Sequence, residues 1–111
     1  MRWHKLDARE SEILAGVLKL CWCHPAVAMS WRVNVGMMEK DGRVIRFGVP
    51  GQGDIEGVLK GGRYFTIECK TAKGKLSPEQ RAFLENVRLA GGMAAVVRSV
   101  DEAKLALDMA Q

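Results

Sequence analysis

GDIEGVLKGGRYFTIECK, residues 53–70, decides how the rest of the chain is read. It holds two short strand-like runs, 54–59 and 64–71, joined by a Lys-Gly-Gly-Arg turn. Side chains alternate between the faces of a strand. Phe65, Ile67 and Cys69 therefore share one face, and Tyr64, Thr66, Glu68 and Lys70 share the other. In the first run Asp54 and Glu56 lie opposite Ile55 and Leu59. Antiparallel pairing of the two runs brings Asp54 across the ladder towards Glu68. Lys70 stands one same-face step from Glu68, roughly 7 Å along the strand.

Two carboxylates brought together repel, and their protonation becomes coupled. A divalent cation removes that conflict, and hard oxygen ligands suit Mg²⁺ or Mn²⁺. The backbone carbonyl of Cys69, at a strand end, offers a third oxygen. Lys70 has no ligand role; it suits holding a water or neutralising a developing negative charge. Metal, water and ammonium together suit hydrolysis of a phosphodiester. The same residues also read as a solvated hairpin face with one cross-strand ion pair. Spacing alone does not separate these readings.

Upstream, DARESEILAGVLKLCW (7–22) carries Ile13, Leu14, Val17, Leu18 and Cys21 at helical spacing. Asp7 with Glu10, or Ser11, is the candidate cap, and Pro25 ends the helix. AVAMSWRVNVGMM (26–38) predicts a strand with Val27, Met29, Trp31, Val33 and Val35 on one face. EKDGRVIRFGV (39–49) is its hairpin return, with Asp41-Gly42 as a type I′ turn. GVPGQGD (48–54) is a loop that delivers Asp54.

Downstream, SPEQRAFLENVRLAGG (77–92) marks a helix. Ser77 is its N-cap, Pro78 its first residue, Gln80 the capping-box partner and Gly91-Gly92 its stop. MAAVVRS (93–99) is a short buried strand. A final helix follows, with Ser99 and Glu102 as a second capping box. The predicted order is α-β-β-β-β-α-β-α. The connection from 64–71 through the helix to 94–98 is a parallel crossover, right-handed by rule.

The bulk numbers bound the rest. The chain has 111 residues, 48% hydrophobic and 27% charged, which suits one globular domain with one core. The net charge of +4 permits a polyanionic partner without requiring one. Cys21, Cys23 and Cys69 form no disulfide framework, and reduced thiols in a cytoplasmic compartment are the simpler reading. Zinc at Cys21, Cys23 and His24 lacks a second ligand pair. No run approaches a signal sequence or the roughly 20 apolar residues of a membrane span.

Taken together, GQGDIEGVL, FTIECKTAKGKLSPEQ and the helix ending in Gly-Gly resemble the VRR-NUC branch of the PD-(D/E)XK nucleases. WRVNVG ahead of the hairpin fits as well, and the resemblance covers residues 12–102. It implies an α/β, restriction-endonuclease-like PD-(D/E)XK fold, a central mixed β-sheet flanked by α-helices. It implies metal ligation by Asp54, Glu68 and the Cys69 carbonyl, catalysis by Lys70, and Glu12 and Gln80 bordering the site. Glu12 also reads as a first-turn acid favoured by the helix dipole, and Gln80 as a capping residue. One departure is Gly53, where the family usually has proline.

The resemblance further implies a Mg²⁺- or Mn²⁺-dependent endonuclease acting on branched, Holliday-junction-like DNA in replication or repair. The same resemblance implies 5′-phosphate and 3′-hydroxyl ends and a homodimer. Lys60, Arg63, Lys73, Lys75 and Arg81 are the candidate phosphate contacts, extended by Arg32, Arg43 and Arg46. Trp31 and Met37-Met38 read equally as core or as a subunit contact. Nothing in the sequence suggests base-specific reading, so selectivity for DNA shape is expected. A non-catalytic nucleic-acid-binding module of the same fold, and a protein-interaction domain, are the competing readings.

Overall fold

The computed structural model describes residues 8–34 and 36–110. Asp7, a candidate cap, and Val35 lie outside them. The helix α1 (Ala8–Cys23) buries Leu14, Val17 and Cys21, the stripe its periodicity demands. The strands follow as β1 (Val27–Arg32), β2 (Gly36–Lys40), β3 (Arg43–Phe47), β4 (Ile55–Leu59) and β5 (Tyr64–Cys69). Then come α2 (Pro78–Leu89), β6 (Met93–Val97) and α3 (Val100–Met109). Five strands thus precede α2 where the sequence suggests four. The run 26–38 breaks after Arg32, and its two halves join different sheets.

β2 and β3 form a separate antiparallel hairpin, with Asp41 at φ 52° and Gly42 at φ 73°. Those left-handed values are what a type I′ turn needs. The main sheet has the order β1-β4-β5-β6. Its first three strands are antiparallel neighbours, and β5 and β6 run parallel through α2. The described residues thus form a mixed four-stranded sheet with three helices. No described helix is long and apolar enough to cross a membrane.

On one face of the sheet, Ile55, Leu59, Phe65, Ile67 and Cys69 pack under α1 and α3, where Ala103 and Leu107 close the core. Each large side chain buried there contributes about 1.5–3 kcal/mol. α2 lies over the other face, with Leu84 and Val87 buried. A bulge in β1 overturns the expected single face from Val27 to Val33. Val27 pairs with Leu59, but Met29 pairs with Val58, so Ala28 is an extra residue. Val27 enters the core, whereas Met29 and Trp31 turn to the α2 side and stay 57% and 42% exposed.

The caps explain the helix starts. Ser77 and Gln80 make both halves of the capping box on α2. On α3, Ser99 accepts from the Glu102 N–H, but the Glu102 carboxylate reaches back to the Arg98 N–H at 2.9 Å. The expected second box is therefore only half of one.

Candidate active site

The β4–β5 register pairs Ile55 with Ile67. The residue before Ile55 thus faces the residue after Ile67, which sets Asp54 opposite Glu68. Asp54 Oδ2 accepts the Cys69 N–H at 2.7 Å. The N–H and C=O of one strand residue point to the same side, so the Cys69 carbonyl faces Asp54 as well.

Gly53 shows why the loop takes this path. A Cβ there would lie 2.3 Å from Thr66 Oγ1 and 3.1 Å from the Ile67 carbonyl. Thr66 fills the space that a proline would occupy. Gly51, at φ 80°, lets the same loop touch α2, since a Cβ would sit 2.0 Å from the Glu79 carbonyl. The loop, β4 and the start of α2 are therefore packed as one unit.

Glu68 is 3% exposed. Its Oε1 accepts from Gln80 Nε2 at 2.9 Å and lies 3.6 Å from Lys70 Nζ. Its Oε2 is buried and meets no hydrogen-bond donor. Burial, and then the charge of Asp54, push the Glu68 carboxyl up to about 8, with Lys70 opposing the shift. A buried carboxylate oxygen without a donor is costly unless something cationic meets it. Asp54, Glu68 and the Cys69 carbonyl form a hard oxygen set, and that set fits Mg²⁺ or Mn²⁺. Lys70 is buried beside them, its backbone N–H donating to the Val97 carbonyl at 2.9 Å. Gln80 serves both expected purposes at once: Oε1 accepts from the Ser77 N–H while Nε2 holds Glu68.

Glu12 is exposed on α1, and no group of three or more His, Cys, Asp or Glu side chains gathers for a metal among the described residues. On α1 the acid whose charge reaches the Cys69 thiol is Glu10. The Cys69 thiol is pushed above its usual range first by burial, then by Asp54, Glu68, Cys21 and Glu10. The signal was present in the sequence: Glu10, Leu14, Val17 and Cys21 follow one helical stripe, and Glu12 lies off it.

The basic residues divide. Lys73 and Lys75 are exposed in the loop after β5, and Arg81 is exposed beside Gln80 on α2. Lys60 and Arg63 sit at the other end of β4 and β5, with Arg63 roughly 17 Å from Glu68 by strand rise. They are not part of this site. Arg63 instead ties the α2 exit, with Nε donating to the Gly91 carbonyl at 2.9 Å and Nη2 to Gly92 at 3.4 Å.

Two contributors escaped the sequence reading. Arg98 donates to the Thr71 carbonyl and, at 2.8 Å, to Gly74, gripping the Lys73–Lys75 loop. The parallel β5–β6 pairing is the clue, because it sets the residue after β6 beside the loop after β5. Glu56 is the other. Its Oε2 accepts from Tyr64 Oη and Gln52 Nε2, both at 2.7 Å, and its Oε1 accepts from Trp31 Nε1 at 3.1 Å. Burial and Glu56 raise the Tyr64 phenol well above its usual value.

An α/β domain with an acidic pair and a lysine at one strand end is the layout of a nuclease-type protein. Residues 20–101 match the VRR-NUC domain, and the chain belongs to that family of nuclease-type domains. The match takes in Asp54, Glu68, Lys70 and Gln80, and it starts beyond Glu10 and Glu12. No curated protein and no solved structure matches the chain.

Proposed function

We propose that the chain is a metal-dependent DNA endonuclease of the PD-(D/E)XK type, hydrolysing phosphodiester bonds in branched DNA. One observation carries the reading: Asp54 and Glu68 oppose each other at a strand end, and Glu68 Oε2 is buried without a donor. Asp54, Glu68 and the Cys69 carbonyl would hold Mg²⁺ or Mn²⁺. The bound ion supplies Lewis acidity towards a phosphoryl oxygen and lowers the pKa of a water.

The protein's own groups do the rest. Gln80 fixes Glu68 through Oε1 and leaves Oε2 for the ion. The Lys70 ammonium, 3.6 Å from Glu68, orients a water or offsets charge developing on the phosphate. Arg98 holds the loop that presents Lys73 and Lys75 to flanking phosphates, and Arg81 adds a third contact. The described residues of each chain form one such site, so cutting two strands of a junction calls for two copies. A homodimer is the assembly that supplies them.

The test is cleavage of labelled four-way junction, flap and duplex DNA with Mg²⁺, Mn²⁺ or EDTA. Asp54→Asn, Glu68→Gln and Lys70→Ala are each expected to lower the rate by about 10²-fold or more while DNA binding persists. Cutting that survives EDTA, or Asp54→Asn cutting at the wild-type rate, overturns the reading.

A further inference from the structure

We infer that Trp31 is a stacking platform for one unpaired nucleobase of the strand held at the site. The inference rests on the nuclease reading above and specifies its substrate: DNA with a nucleotide free to leave the helix beside the bond that is cut. Trp31 lies on the α2 face of the sheet, in register with Glu56 and, through it, Thr66. The next row on that face is Asp54 and Glu68. One same-face step along β4 and one strand spacing separate Trp31 from Asp54, about 8 Å between backbones. An aromatic side chain thus stands within a nucleotide's reach of the acidic pair.

The ring is held as well as placed. Its N–H donates to Glu56, whose other oxygen is fixed by Tyr64 and Gln52. An indole pinned in this way loses little freedom on binding. It is nevertheless 42% exposed, and Met29, on the same face, is 57% exposed. The core makes no use of either residue, because the bulge at Ala28 turns both away from it. Stacking on an indole tolerates any base, so it reports whether a base is available rather than which base it is. A paired base must first be unstacked, whereas one at a flap, bulge or junction is already loose. Trp31 therefore selects structure without reading sequence.

The experiment places 2-aminopurine at the unpaired position of a flap and at the matching position of a continuous duplex. Fluorescence is read with wild type, Trp31→Ala and Trp31→Phe, and cleavage is followed in parallel with Mg²⁺. Wild type should quench the flap probe, Trp31→Phe should keep most of the quenching, and Trp31→Ala should lose it. Trp31→Ala should also bind the flap about tenfold more weakly while binding duplex unchanged. Thermal melts establish that the variants fold. Cleavage without Trp31-dependent quenching overturns the stacking inference alone. Quenching without cleavage overturns the nuclease chemistry alone and leaves the platform standing. Equal losses on flap and duplex, or a Trp31→Ala change in sedimentation with quenching intact, assign Trp31 to general binding or to a subunit contact and overturn the inference.

Discussion

Glu68 carries a cost that only a partner offsets. Its carboxyl titrates near 4.5 when free and at about 8 in the folded chain. Above pH 4.5 the unfolded chain releases this proton while the folded chain keeps it, so stability falls as pH rises towards 8. Urea titrations in EDTA should show lower stability at pH 8 than at pH 5, by a few kcal/mol. Added Mg²⁺ should restore the loss by binding the folded form, and Glu68→Gln should flatten the slope. Gly53 is the second residue with a readable cost. Gly53→Ala should destabilise by about 1–3 kcal/mol through its contact with Thr66, and adding Thr66→Ala should recover part of that in the same titrations. Asp54, Glu68 and Lys70 were legible because alternation along two strands is a local rule. The reason for Gly53 was not, since it lies in the side chain of Thr66, thirteen positions away.

Elements with local signals followed the sequence, as did the β4–β5 pairing and the parallel crossover from β5 through α2 to β6; the break and the bulge in the run 26–38 did not. Ser77, Pro78 and Gln80 mark the start of α2 from neighbouring residues alone, and the structure keeps both capping bonds. The bulge in β1 depends on where β4 lies, so the run 26–38 could not reveal it. Glu10 stood on the apolar stripe of α1, but the sequence reading used it only as a cap partner and set Glu12 at the site. The end of α1 shows another long-range tie. His24 Nδ1 accepts the Ala26 N–H at 3.0 Å and Nε2 donates to Asp108 of α3 at 2.7 Å. Lys104 first, and then His24, hold the Asp108 carboxyl below its usual range. Replacing His24 with Ala leaves a buried N–H without its acceptor. A loss of about 1–3 kcal/mol is expected by thermal or chemical unfolding, with little effect on DNA cleavage per folded molecule.

At the scale of the whole molecule, charge is placed rather than merely abundant. Lys73, Lys75 and Arg81 lie at the end of the sheet that holds Asp54 and Glu68, and Lys60 lies at the other end. Counting basic residues near a motif could not separate the groups, because strand direction decides which end each reaches. Measured against salt concentration, duplex binding should lose about 0.9 of its logarithmic slope for each phosphate contact removed. Lys73→Ala and Lys75→Ala should each reduce the slope, and Lys60→Ala should leave it unchanged. The extra residue in β1 has a consequence of its own, for tolerance to deletions. Loss of Ala28 straightens the strand and keeps every later partner, so the indole stays on the outer face. Loss of Ser30, two positions on, also leaves two residues between Val27 and Trp31 and keeps the indole opposite Glu56, but it sets Met29 opposite Gly57, on the side already filled by Phe65. Two deletions of equal size in one short strand should therefore differ in outcome: both remove the bulge and leave a folded protein, and the second is the less stable by about 1–3 kcal/mol, because it overpacks a methionine against Phe65.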